Sequence, residues 1–257
     1  MQSWPGIVHG GCMVALVDDA AARLGRIPGP RRVDGRLTSS VPIETALDLR
    51  VDRTEGGVGL TILQGGHTLT SGIVVDLPTE PATAHAWSGG SDGSSLPMSD
   101  YCLACGSQNP LGLQVALSFD DEGVWAHLTP PAPWRAPGGR LHPGLAPVLL
   151  DELAWWLGAL LMKQGGLTNR LAVSLHDPDA PFDGALVAAG RFADVTPVDR
   201  KRTFWRTEST LATASGRLLA SASIVFRGGP DYSERQIPYF KPRTPPDVFR
   251  RMFPNYA

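Results

Sequence analysis

Two stretches decide how this chain folds: His9-Gly-Gly-Cys-Met-Val-Ala-Leu-Val-Asp18-Asp19-Ala20, and His142-Pro-Gly-Leu-Ala-Pro-Val-Leu-Leu-Asp151-Glu152-Leu153. They align without gaps at an offset of 133, and each opens on a histidine and carries an aspartate nine residues later. Further along, Gly66-His-Thr-Leu-Thr-Ser-Gly-Ile-Val-Val75 aligns with Gly216-Arg-Leu-Leu-Ala-Ser-Ala-Ser-Ile-Val225 at an offset of 150. The second copy therefore holds 17 more residues between the landmarks. Self-similarity of this kind governs the architecture before any local reading does.

Working outward, each copy predicts one helix followed by strands. Met13, Val14, Leu16, Val17, Ala20, Ala21 and Leu24 make an apolar helical face that Gly25 can end, and Leu145–Met162 is apolar almost all round, as expected for a helix covered on most sides. Strand-like segments follow at 46–52, 59–63 and 69–75, then at 171–175, 185–192, 204–212 and 218–226. Two more, 113–119 and 124–128, precede the second helix, whereas His9 has only eight residues before it. The first copy thus lacks its opening strands, and the tail after Gly229 is a candidate to cover an edge that would otherwise template aggregation. Ser88–Asp100 has the Gly/Ser-rich composition of a flexible linker. The expected organisation is a first domain over 1–87, a linker over 88–100, a second domain over 101–228 and a tail over 229–257.

Composition excludes several function classes. With 42% hydrophobic and 19% charged residues the chain is an ordinary globular protein, and 23 Lys+Arg against 25 Asp+Glu leaves no basic excess for nucleic acid. No uninterrupted apolar window of membrane-span length and no leader pattern stand out, so a cytoplasmic protein without a membrane partner is expected. Cys102-Leu-Ala-Cys105-Gly invites a zinc reading, but four ligands are needed and the chain has neither a second Cys pair nor a His pair at finger spacing. No metal and no cofactor are expected.

The helix starts carry the chemistry. The first N–H groups of a helix lack intrahelical partners and sit at the positive end of its dipole, so they can stabilise a developing oxyanion, and glycine there admits a substrate closely. Asp18 is eight residues beyond Gly10, about 12 Å along and roughly 80° around one helix. A helix cannot bring both groups to one carbonyl. Two antiparallel helices can, each supplying its aspartate to the other's start.

At these residues the sequence resembles the hotdog-fold acyl-CoA thioesterases of the phenylacetyl-CoA type. His9-Gly-Gly with Leu16-Val-Asp18, the echo in the second copy, and Cys102-Leu-Ala-Cys105-Gly-Ser-Gln-Asn-Pro-Leu-Gly-Leu113 carry the likeness. The resemblance implies an α+β fold of two tandem hotdog domains, each a long helix wrapped by an antiparallel sheet, forming an internal pseudo-dimer; whether two chains pair further is left open. It implies hydrolysis of an acyl-CoA thioester, with the N–H one residue after the histidine polarising the carbonyl and the partner domain's aspartate acting as base or nucleophile.

One composite site then pairs His9, Gly10 and Gly11 with Asp151; the other pairs His142, Pro143 and Gly144 with Asp18. Pro143 has no N–H where the family uses one. Loss of such a donor costs a factor of about 100–1000, so the second site is expected to be degenerate. Thr168 and Asn169 are placed to orient water or the acyl group, and one of Trp155 and Trp156 to close the acyl pocket, since helix neighbours point about 100° apart. That bulk favours medium, branched or aromatic acyl groups. Arg31, Arg32 and Arg36, or Arg200-Lys201-Arg202, are candidates for CoA phosphates, although such runs are more often solvated surface. The alternative is a non-catalytic acyl-CoA or acyl-carrier-binding protein. A hydratase, needing an Asp/His pair at the helix start, comes third.

Overall fold

The structure is a computed structural model that describes residues 2–3, 5–25, 29–78, 87–179, 181–182 and 184–257. Helix α1 (Gly10–Gly25) leads into strands β1 (Arg31–Leu37), β2 (Asp48–Thr54), β3 (Gly57–Gln64) and β4 (His67–Asp76). Short strands β5 (Ser94–Ser95) and β6 (Ser118–Phe119), β7 (Gly123–Leu128), and the small pair β8 (Arg135–Ala136) and β9 (Arg140–Leu141) come next. Helix α2 (Leu145–Met162) is followed by β10 (Gly166–Leu175), β11 (Leu186–Arg191), β12 (Thr196–Pro197), β13 (Phe204–Thr213) and β14 (Leu218–Gly228). Helices α3 (Pro230–Phe240) and α4 (Pro246–Met252) close the chain.

Twelve of the strands form one sheet, ordered β2-β3-β4-β1-β10-β14-β13-β11-β7-β6-β5 with β12 beside β13. It is α+β, and each pairing within it is antiparallel. The order around each helix repeats across the β1–β10 seam, where Val33 faces Val173 and Gly35 faces Leu171. Both landmark glycines of the repeat, Gly66 and Gly216, adopt positive φ at the turns that precede β4 and β14, a conformation glycine takes without steric cost.

Helices α1 and α2 pack on each other and on one face of this sheet. Gly11 is where they come closest: a Cβ there would fall 2.4 Å from the Pro147 carbonyl oxygen. Leu149, Leu150, Leu153, Trp156 and Leu157 are fully buried on α2. This helix, with a mean hydropathy of 1.5 over 18 residues, is long and apolar enough to cross a membrane. Asp151 and Glu152 interrupt its apolar run, as the expectation of no uninterrupted apolar window of that length has it, and 83% of the helix is buried inside the protein.

Three expectations change. The charged run Arg31-Arg-Val-Asp-Gly-Arg-Leu37 is a central strand, alternating buried Arg31, Val33, Gly35 and Leu37 with more exposed residues. Ser88–Asp100 does not run free: Ser94 and Ser95 extend the sheet against β6, and Gly89 and Gly93 lie against the Trp125 ring, where a Cβ would come within 2.3 and 2.6 Å of it. The glycines of this segment serve close packing. The tail does not cover the β2 edge; α4 packs on α2 and α3 on β10, a central strand. Among the described residues no strand pairs with the outer side of β2, which carries Asp48, Arg50, Asp52 and Arg53. Charges on an edge strand discourage pairing with a second chain.

Candidate active site

The start of α1, the first half of α2 and the start of β10 converge on Asp151. This carboxylate is 5% exposed, takes the Gly11 N–H on Oδ2 at 2.9 Å and the Thr168 hydroxyl on Oδ1 at 2.8 Å, and has His9 Nδ1 3.3 Å from Oδ2. Burial pushes its pKa up, against the lowering effect of His9, Thr168 and Gly11. A carboxylate has about four lone-pair positions, so a place remains on Oδ1 for water.

Gly10 stands directly before it. A Cβ at Gly10 would lie 2.9 Å from both Asp151 Oδ2 and Thr168 Oγ1. Among the described residues its N–H has no hydrogen-bond partner, and it sits at the positive end of a 16-residue helix. Thr168 reaches the carboxylate because β10 is irregular here: Thr168 pairs with Phe226 and Arg170 with Val225, leaving Asn169 as an extra residue. A bulge re-aims neighbouring side chains, and Asn169 Nδ2 bonds the Leu37 carbonyl at 3.4 Å.

These groups border a cavity of about 330 Å³ that His9, Gly10, Asp151, Trp155, Thr168 and Asn169 all line. Trp156 lines it as well. The expectation that only one of the two indoles faces the groove is therefore corrected: they meet edge to face with centroids 5.0 Å apart, and both reach the cavity because each ring is large compared with the helix surface it leaves. Phe240 of α3 stacks on Trp155 at 5.1 Å.

Glu152, unassigned in the sequence, sits behind His9. Its Oε2 is 3.4 Å from His9 Nε2 and 3.6 Å from Cys102 Sγ, and its Oε1 accepts the Trp156 indole N–H at 3.1 Å. Burial works against its charge, but His9, Cys105 and Trp156 bring its pKa below the usual carboxylate value. The same burial opposes a charged imidazole, yet Cys102, Glu152 and Asp151 hold His9 well above its ordinary value. Hydrogen bonding from Cys105 brings Cys102 down to about 7. Among the described residues, His9, Cys102 and Glu152 form the group that could hold a metal. The signal available for Glu152 was its place in the repeated motif, beside the aspartate in both copies.

The second copy is built differently. Asp18 is fully buried and receives a two-pronged ion pair from Arg31, at 2.6 and 2.7 Å. Gly144 N–H bonds His142 Nδ1 at 3.1 Å, matching Gly11 and His9. The pocket beside His142 and Pro143 is about 30 Å³, and Asp18 does not line it. Arg31 is thus occupied with Asp18, and neither it, Arg32, Arg36 nor Arg200-Lys201-Arg202 lines the large cavity; Arg227, Arg235 and Arg243 do. Thr38 and Ser39, just after β1 in the first copy, also line the cavity of Asp151.

No family model and no curated protein matches this sequence. Solved structures do. A protein assigned as a thioesterase II, from Thermobifida fusca, superposes with a TM-score of 0.61 at 16% identity, covering 87% of each chain. A hot dog fold protein from Alicyclobacillus acidocaldarius gives 0.57 at 16% identity over 86% of this chain and 87% of that one. This is a hotdog fold. The same fold carries other chemistry: the pyran synthase domain from module nine of the sorangicin pathway gives 0.60 at 17% identity over 88% of this chain and 87% of that one. At such identities the likeness is one of fold, and the hotdog framework presents a Gly N–H/Asp arrangement suited to catalysis.

Proposed function

We propose that the protein is an acyl-CoA thioesterase with one working site, built from two tandem hotdog domains in a pseudo-dimer and acting in the cytoplasm. The observation that carries this reading is the buried Asp151 carboxylate beside Gly10 at the start of α1, whose N–H has no partner among the described residues, both on the lining of one cavity. The thioester oxygen takes the Gly10 N–H as it gains charge, aided by the helix dipole. Asp151 takes the proton of a water held at Oδ1 as that water attacks the carbonyl and the C–S bond breaks to release CoA, or attacks the carbonyl itself to expel the CoA thiolate and leave a mixed anhydride that water then hydrolyses. Thr168 fixes the carboxylate, while the exposed Arg227 and Arg235 on the cavity lining suit the phosphates of CoA. Trp155, Trp156 and Phe240 form an acyl wall that fits medium, branched or aromatic groups.

The second site is degenerate twice over in this reading: Pro143 offers no donor, and Asp18 is neutralised by Arg31. A hydratase reading gains one point, because His9 and Asp151 do meet across the two copies. It is disfavoured because both ring nitrogens of His9 already face carboxylates and the residue is 2% exposed. The test is hydrolysis across a panel of acyl-CoA thioesters. Asp151→Asn should lose about 100-fold or more in kcat and Asp18→Asn should retain turnover per folded molecule; equal loss in both variants refutes the assignment.

A further inference from the structure

Cys102, Cys105 and Glu152 border the same cavity as Asp151 yet take no step in the proposed hydrolysis. His9, Cys102 and Glu152 each bring one ligand-type atom to within 4.8 Å of the others, and the buried Cys105 stands three residues on from Cys102 in the same turn. We propose that these four side chains hold a zinc ion between the start of α1, the Cys102–Cys105 turn and α2.

The geometry suits that ion. Tetrahedral zinc has arms of about 2.0–2.3 Å to nitrogen, oxygen and sulfur, which puts neighbouring ligand atoms about 3.3–3.8 Å apart. His9 Nε2 and Glu152 Oε2 are 3.4 Å apart, and Cys102 Sγ and Glu152 Oε2 are 3.6 Å apart. Two sulfurs, an imidazole and one carboxylate are a donor set for zinc, whereas calcium and magnesium take oxygen. His9 and both cysteines are buried, as in closed structural sites.

The surroundings orient the ligands. The Trp156 indole N–H occupies Glu152 Oε1 and leaves Oε2 toward the cluster. With zinc on Nε2, the imidazole proton would reside on Nδ1, 3.3 Å from Asp151 Oδ2, and the Gly11 N–H, which stands 3.1 Å from Nδ1 and 2.9 Å from Oδ2, would be left to Oδ2 alone; a ligating histidine usually has such a carboxylate partner. The Cys102–Cys105 turn is closed by Gly106 N–H to the Cys102 carbonyl at 2.9 Å, where a Cβ on Gly106 would fall 2.2 Å from that oxygen. Leu103 N–H ties the turn to Gln2 at 2.8 Å. The expectation of no metal rested on ligand spacing, and here the ligands come from three separate segments, so spacing along the chain does not reveal them.

The experiment is to purify the full chain from zinc-supplemented cells without chelators or metal-affinity resin, and to count metals by inductively coupled plasma mass spectrometry. The expected result is one zinc per chain, retained through dialysis, lost in Cys102→Ser and Cys105→Ser, and kept in Cys12→Ser. Cobalt exchanged into the wild type should show the intense visible bands of a tetrahedral ion and thiolate charge transfer in the near ultraviolet, a readout that stands even if the serine variants fail to fold. A wild type that takes up neither metal after equilibration, or a cobalt form with only weak octahedral bands, overturns the proposal. No substrate enters these measurements, so their outcome is independent of the hydrolysis test.

Discussion

At the scale of single residues, the space before Asp151 is the most sensitive part of the molecule. Gly10 leaves just enough room for a carbonyl against Asp151 and Thr168, and Gly10→Ala fills it with a methyl group 2.9 Å from each. The expected outcome is a loss of turnover of about 100-fold or more, as when an oxyanion donor is removed, with little change in the thermal midpoint; steady-state kinetics beside a melting curve checks it. Asp18 should behave in the opposite way. Asp18→Asn strands the Arg31 charge in the interior and should cost about 3–5 kcal/mol of stability, whereas replacing both partners by apolar residues should recover most of the loss; urea titration of the single and double variants measures this. The meeting of Gly10 with Asp151 was legible in the sequence because the motif occurs twice and one copy explains the other. Arg31 was not, since a basic run reads as surface until its register in a central strand turns one arginine inward.

At the scale of elements, the long strands were legible from their apolar alternation to within a few residues, and the two core helices from their apolar faces. Strand β1 escaped because three arginines mask its alternation, and α3 and α4 because prolines at 230, 238, 245 and 246 read as loop. The bulge at Asn169 was also invisible: it is a mismatch between β10 and β14, and pattern within one strand cannot show it. At the far end of β10, His176 is half-buried against the Ser221 hydroxyl at 2.9 Å, and burial lowers its pKa. The unfolded chain therefore binds the proton more readily, with a pKa of about 6.5. Stability should rise as pH increases through that region and fall as pH drops below it. His176→Gln should flatten this slope, as read by thermal midpoints across the range.

At the scale of the whole molecule, the tail is part of the core. Val248, Phe249, Met252 and Phe253 are buried and Phe240 stacks on Trp155. Burying each such side chain is worth about 1.5–3 kcal/mol, so a chain ending at Gly229 gives up a contribution comparable to the whole stability of a typical domain, about 5–15 kcal/mol. The expected outcome is a protein recovered as aggregates or one that binds a hydrophobic dye strongly, measured by solubility and dye fluorescence. The sequence offered this tail only as cover for a sheet edge, because its target, the tryptophan pair on α2, lies far away in the chain.

The duplication has a consequence of a genetic kind. In an assembly of two identical subunits every mutation is written into both sites at once, so neither can be given up without the other. Here the copies are separate stretches of one gene. In the proposed reading, proline could settle at position 143 and arginine could clasp Asp18 in one copy, while the other kept a glycine and its backbone donor; selection could spend one site on stability and hold the other to chemistry.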